Sequence, residues 1–125
     1  MKKILLVDDD SSIRGMYRGL LKSEGYEVHE AASAEAATEF LLHNKVQLIL
    51  LDINMPEING GAVMKEVIDE YGRDSKVIVA SVYPIERQKR LILEADDYYD
   101  KAQSAELLLT KIHILIGGAQ LAHGP

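Results

Sequence analysis

The fold of this chain is decided by residues 3–10, which read KILLVDDD. The four apolar residues at 4–7 are typical of a parallel strand that is buried on both faces of a sheet. Three aspartates, Asp8, Asp9 and Asp10, follow this run at once. The stretch therefore predicts a central strand with a group of carboxylates at its carboxyl end.

Similar short runs return along the chain and are separated by stretches with helical spacing. They start near residues 3, 27, 46, 76 and 97. The run at 27–31 is mixed in polarity and the run at 97–100 is short, which favours edge positions for both. This alternation predicts an α/β domain of five βα units with a parallel, doubly wound sheet.

The stretches between the runs predict five helices. Apolar residues of the first recur three and four positions apart, and Gly25 can supply the left-handed residue that ends it. Ser33 is the expected N-cap of the second helix, and the fifth starts after Ser104. Pro84 opens the fourth near its first turn. The apolar positions that define the first and third helices are Ile13, Met16, Tyr17, Leu20 and Leu21, and Met64, Val67, Ile68 and Tyr71.

The composition limits the class of protein. A chain of 125 residues is the size of one domain, and its lack of cysteine excludes a disulfide framework and a thiolate metal site. The net charge of −6 argues against nucleic-acid binding, since the one tight basic cluster is Arg87, Lys89 and Arg90. No apolar run is long enough to cross a membrane. We expect a cytoplasmic protein that binds neither nucleic acid nor membrane.

Chemically reactive side chains follow four of the five runs. Asp8–Asp10 follow the first, Asp52 the third, Ser81 the fourth and Lys101 the fifth. Ligand sites of doubly wound sheets lie outside the carboxyl ends of the strands, so we expect these residues to share one crevice. Several carboxylates there would repel one another without a cation, and Mg²⁺ prefers oxygen ligands of this kind. The pattern predicts a Mg²⁺-assisted phosphoryl site.

These motifs, in this order, resemble the receiver domain of two-component response regulators. The residues concerned are VDD at 7–9, DINMP at 52–56 with Gly60, Ser81, and DDYYDK at 96–101. The resemblance covers about residues 2–117. It implies a flavodoxin-like (βα)5 fold with strand order 2-1-3-4-5, a receiver domain at 1–117, and a tail or linker remnant at 118–125.

The resemblance also implies a role for each matching residue at the metal site. Asp52 would be the phosphoacceptor. Asp9 would bind Mg²⁺ directly, Asp8 would help through a water molecule, and the backbone carbonyl of Asn54 would complete the site together with Asp52. The phosphoryl donor would be a phosphohistidine on a partner histidine kinase or phosphotransfer protein.

Three further residues match the positions that respond to phosphorylation in the family. Ser81 would hydrogen-bond a phosphoryl oxygen, Lys101 would pair with another, and Tyr98 would be an aromatic switch that moves inward. The changed face would be that of the fourth helix, fifth strand and fifth helix, which would contact a downstream protein, an output domain or a second copy. The chain would not be an enzyme beyond its own phosphorylation and dephosphorylation.

Two of the departures from the family pattern bear directly on the site. Ala102 follows Lys101 where the family usually has proline, with a Lys–Pro bond that is commonly cis. A cis bond costs about 3–4 kcal/mol before alanine and under about 1 kcal/mol before proline. We therefore expect either a trans bond with a rearranged loop or a strained cis bond, and either of them can displace Lys101. Val82 stands where a smaller residue is usual and would narrow access to Asp52.

Two readings from other classes stay open at this point. A haloacid-dehalogenase-type phosphatase would use Asp8 in an Asp-x-Asp motif, although Ser12 departs from that motif. A receiver-like interaction module would act by binding alone, without phosphorylation.

Overall fold

The computed structural model describes residues 2–52, 69–70, 74–86, 88 and 95–118. All five expected strands are present in these ranges. They are β1 (Lys3–Val7), β2 (Glu27–Ala31), β3 (Leu48–Asp52), β4 (Lys76–Ser81) and β5 (Asp97–Asp100).

The strands form one parallel sheet in the order β2-β1-β3-β4-β5, which confirms the predicted fold and both edge strands. β3 begins at Leu48, two residues later than the apolar run, although Val46 is itself buried. The register pairs Val7 with Leu51, and Asp52 with Ala80. The carboxyl ends of β1, β3 and β4 therefore lie side by side.

Three helices are described in full: α1 (Ser11–Ser23), α2 (Ala34–His43) and α3 (Ala105–Ile116), the last being the fifth helix of the sequence pattern. The hydroxyl of Ser33 accepts a backbone N–H bond at the start of α2, as predicted. The helix α3 begins directly after Ser104, also as predicted, and the Ser104 hydroxyl accepts a backbone N–H bond there. Gly25 follows α1 with a φ of 94°, which fits the predicted end of that helix.

The helices cover both faces of the sheet. α1 and α3 pack on one face, where Leu21, Leu108 and Ile112 are buried against alternate strand residues. α2 packs on the other face through Ala37 and Leu41. This three-layer arrangement explains why the central strands are apolar on both sides. Met16 was expected in this core, but it is 61% exposed because α1 buries only the neighbouring Tyr17 and Leu21.

Several predicted features lie outside the described residues. They are most of the third helix, most of the fourth helix, the basic cluster, the Asn54 and Gly60 positions, and residues 119–125. Within the part of the chain that the structure covers, no helix is long and apolar enough to span a membrane.

Candidate functional site

The three aspartates after β1 occupy three different environments. Asp8 is buried, and its backbone N–H continues the sheet by donating to the carbonyl of Ala31 at 3.1 Å. Asp9 is exposed. The carboxylate of Asp10 is the N-cap of α1 and accepts from Ser12 and Ile13 at 2.9 and 3.1 Å. The beginning of α1 therefore takes one carboxylate for capping and leaves the other two beside the end of the sheet.

Asp52 completes an acidic cluster with Asp8 and Asp9. It is the last residue of β3 and is almost fully buried. Because β1 and β3 are neighbours, one carboxylate oxygen from each of the three aspartates lies within 4.8 Å of the other two. The structure thus brings together side chains that are more than 40 residues apart in the sequence.

Lys101 meets the acidic cluster from the end of β5. Its Nζ lies 2.9 Å from Oδ2 of Asp8 and 3.4 Å from Oδ2 of Asp52. The Lys101–Ala102 peptide bond is trans, since the described residues contain no cis bond. Of the two expected alternatives the trans bond is the one found, and Lys101 lies at the acidic cluster despite Ala102. The backbone N–H of Lys101 donates to the carbonyl of Ser81 at 2.8 Å, which keeps the residue in line with β4.

Ser81 is the last residue of β4, and Tyr98 lies on β5. Ser81 is fully buried, and its Oγ accepts a hydrogen bond from the backbone N–H of Tyr83 at 3.0 Å. Tyr98 is buried in the core cluster against which Ile85 and Ala95 pack. Its role as a switch stays a prediction. Val82, in the loop after β4, is 64% exposed.

Arg14 was not singled out in the sequence, although it contributes to the site. Its guanidinium donates to the carbonyl oxygen of Asp8 at 2.6 Å and to Oε1 of Glu30 at 3.1 Å. It lines a small cleft with Asp8, Asp52 and Lys101. A basic residue one turn beyond the Asp10 N-cap points back toward the strand end, and that spacing is a signal by which Arg14 could have been found.

Two buried tyrosines, Tyr17 of α1 and Tyr99 of β5, belong to one core cluster. The Tyr99 hydroxyl donates toward the carbonyls of Gln103 and Ser104, at 2.8 and 3.0 Å. Burial raises the pKa of Tyr17, and the Tyr99 hydroxyl raises it further. Sequence spacing had marked Tyr17 only as a core residue.

The donor set of the acidic cluster fits a hard divalent cation. Three carboxylates converge, one of them exposed to solvent, and Mg²⁺ accepts few carboxylates while keeping several waters. Asp8, Asp9 and Asp52 would hold the ion. Asn54, the fourth predicted ligand, lies outside the described residues.

Comparison with known proteins gives the class of this chain. The family model for the response regulator receiver domain matches residues 4–113. The transcriptional regulatory protein CpxR of Klebsiella pneumoniae is 35% identical over 116 residues, which are 93% of this chain and 50% of that protein. The chain belongs to the response regulator receiver domain family of two-component signalling.

Solved receiver structures share the fold. The response regulator TrrA of Thermotoga maritima, in complex with Mg²⁺ and BeF, is 34% identical with a TM-score of 0.81, over 92% of this chain and 99% of that one. A CheY-like receiver domain from Methanospirillum hungatei is 30% identical with a TM-score of 0.81, covering 91% and 92% of the two chains. The chain spans about half the length of the curated relatives that it matches.

Proposed function

We propose that this receiver domain accepts a phosphoryl group on Asp52 from a phosphohistidine of a partner protein. One observation carries the proposal: Asp8, Asp9 and Asp52 converge within 4.8 Å, and an ammonium group lies against two of them. A carboxylate oxygen of Asp52 would attack phosphorus as the bond to the histidine nitrogen breaks. The product is an acyl phosphate on the end of β3.

The side chains around Asp52 supply positioning and charge compensation for this transfer. The chemistry that Mg²⁺ supplies when bound is neutralisation of charge on the phosphoryl oxygens. Lys101 provides a second positive charge from the end of β5, and Arg14 holds the backbone of Asp8 in place. Because Lys101 is paired with Asp8 and Asp52, it is near the position where the new phosphoryl oxygens would form.

Ser81 and Tyr98 are the proposed output of the site. Phosphorylation adds about −1.5 to −2 charge and three acceptor oxygens beside Lys101. The Ser81 hydroxyl would donate its proton to a phosphoryl oxygen and draw the loop after β4 toward Asp52. Tyr98 is buried in the core cluster against which Ile85 of that segment packs, so its buried position would be favoured.

The proposed partners follow from this chemistry. The donor is a histidine kinase or phosphotransfer protein. The receptor of the signal is an output domain, a downstream protein or a second copy that binds the face of β5 and α3. Curated relatives of twice the length are named as transcriptional regulators, which favours an output that acts on transcription. We place the protein in the cytoplasm and assign nucleic-acid binding to the output rather than to this acidic domain.

Acetyl phosphate with Mg²⁺ tests the proposal directly. We expect the wild-type chain to gain the mass of one phosphoryl group and Asp52→Asn to gain none, because the amide has no nucleophilic carboxylate. Intact-mass measurement under conditions that preserve acyl phosphates gives the readout. Asp69→Asn, an exposed carboxylate outside the cluster, is the matched control and should be phosphorylated like the wild type.

Three outcomes would contradict the proposal. Phosphorylation of Asp52→Asn to the same extent as the wild type would show that another residue is the phosphoryl acceptor. No effect of beryllofluoride and Mg²⁺ on the wild-type chain would favour an interaction module that acts by binding alone. Steady phosphatase turnover that is lost in Asp8→Ala and kept in Asp52→Ala would favour the dehalogenase-type reading.

A further inference from the structure

Lys101 has to be held in place by its loop, because a lysine side chain is long and has many rotamers. In this structure the ammonium is nearly buried and contacts two carboxylates. The backbone N–H of Lys101 is anchored to Ser81. The residues that follow Lys101 therefore decide the direction in which its side chain leaves the loop.

The loop after β5 is closed by a turn that is built on Asp100. Oδ1 of Asp100 accepts the backbone N–H of Ala102 at 2.8 Å, and the carbonyl of Asp100 accepts the N–H of Gln103 at 2.8 Å. Oε1 of Gln103 in turn accepts the N–H of Asp100 at 3.2 Å. An aspartate that bonds to the N–H two residues later is an Asx turn, which mimics a backbone turn.

The turn needs a backbone N–H at position 102, and Ala102 provides it. A proline at 102 has no N–H and could not donate to Asp100. With alanine the peptide bond after Lys101 is trans, and the Asx turn bends the chain so that the ammonium still reaches Asp8 and Asp52.

We propose that Asp100 is a positioning residue for Lys101. Its carboxylate, through the Ala102 N–H, selects the loop conformation that holds the ammonium of Lys101 at the acidic cluster. The consequence for phosphorylation rests on the function proposed above, whereas the turn and the position of Lys101 do not.

The test uses the full chain and a graded set of substitutions at Asp100. Asp100→Asn keeps the Asx acceptor, Asp100→Ser keeps a weaker one, and Asp100→Ala removes it. Ser104→Ala is the matched control, because it removes the N-cap of α3 from the same loop without touching Asp100, Lys101 or Ala102.

Two readouts need neither metal nor phosphate. Hydrogen exchange of the Ala102 amide reports the turn itself, since Ala102 is exposed and depends on this bond for protection. Acylation of Lys101 by an amine-reactive ester, followed by peptide mass spectrometry, reports whether the ammonium stays covered. Acylation of Lys111 on α3, which pairs with Asp97 on β5, is the internal reference.

We expect Asp100→Ala to speed both Ala102 exchange and Lys101 acylation several-fold, with Lys111 unchanged. Asp100→Asn should match the wild type, and Asp100→Ser should fall between. Ser104→Ala should lower the free energy of unfolding. It should change neither Ala102 exchange nor the acylation of Lys101 relative to that of Lys111. Phosphorylation by acetyl phosphate should slow in the same order as Lys101 acylation rises.

The proposal is overturned if Asp100→Ala leaves Lys101 as protected as in the wild type, or if Asp100→Asn fails to restore that protection. If Asp100→Ala does not fold, an intermediate acylation rate for Asp100→Ser supports the proposal, and a wild-type rate overturns it. If the wild-type chain is not phosphorylated at all, the proposed function fails while exchange and acylation still decide the role of Asp100.

Discussion

Consecutive residues of one type take separate tasks at the end of β1. Asp8 is buried and paired with Lys101, Asp9 is exposed beside the cluster, and Asp10 caps α1. The alternating direction of side chains along an extended backbone separates the first two, and the start of the helix turns the third away. The three aspartates therefore have different roles in spite of their identical chemistry. Substituting them one at a time can separate these roles.

Substitution of Asp10 and of Asp9 should have opposite effects. We expect Asp10→Ala to lower the free energy of unfolding by about 1 kcal/mol, because two N–H groups of α1 lose their acceptor, and to keep phosphorylation. Asp9→Ala should keep or slightly raise stability, since it removes a like charge from the cluster, and should lose Mg²⁺-dependent phosphorylation.

Urea unfolding and the acetyl phosphate assay measure these two effects separately. Asp10→Ser, which keeps a capping acceptor, should recover most of the stability lost in Asp10→Ala. A loss of phosphorylation in Asp10→Ala at unchanged stability would instead put Asp10 in the cluster.

At the scale of elements, α3 is apolar over most of its surface. Its sequence does not decide whether the apolar side chains beyond one helix face are buried or exposed. Leu108 and Ile112 are fully buried, and Leu109, Leu115 and Ile116 pack partly against the same cluster. Ile114 is 74% exposed. Most of the excess is therefore explained by packing on the sheet, and one large apolar side chain points outward.

Alanine substitutions on α3 should separate these two groups. Leu108→Ala should lower the free energy of unfolding by about 2–5 kcal/mol, because it leaves a cavity under the helix. Ile114→Ala should stay within about 0.5 kcal/mol of the wild type. Chemical denaturation of both variants gives the comparison. A similar loss for both would mean that Ile114 is covered by another surface in solution.

At the scale of the whole molecule, two buried tyrosines come from α1 and from β5. Tyr17 and Tyr99 belong to one core cluster, and Tyr99 donates to carbonyls at the beginning of α3. Burial raises the pKa of both phenols above the ordinary value of 10.0. The folded chain therefore holds these two protons more tightly than the unfolded chain.

Alkaline pH should weaken the fold through these phenols. Their stabilisation is complete below pH 10.0 and is lost as the pH rises toward the higher folded-state pKa values, because the unfolded chain releases these protons first. The double variant Tyr17→Phe/Tyr99→Phe should lose less stability than the wild type between pH 9 and pH 11.5, a range set around the ordinary phenol pKa of about 10.

Thermal unfolding across this pH range is the measurement. Both proteins have the same other side chains, so the difference between the two proteins is the quantity to follow. A difference that stays constant with pH would show that the two phenols do not contribute to the alkaline loss.

Predictions from sequence succeeded where the controlling interactions are local. Three predictions of this kind were confirmed: the capping hydroxyl of Ser33, the start of the last helix after Ser104 and the turn at Gly25. The prediction that Met16 is buried was wrong. Spacing defines a helix face only to within a residue or so, and the width of the buried stripe depends on what packs against it. Lys101 was judged from its following residue alone, and the Asp100 side chain that shapes the loop was missed.

The alternation of apolar runs and helical stretches was sufficient by itself to determine a parallel α/β sheet, because buried strands and amphipathic helices have different periods. The convergence of the site was decided only in the tertiary structure. Asp8 and Lys101 are 93 residues apart, and their contact depends on strand order, on register and on one turn at the end of β5. Each of these is a property of several elements packed together, so no local stretch of the chain contains it.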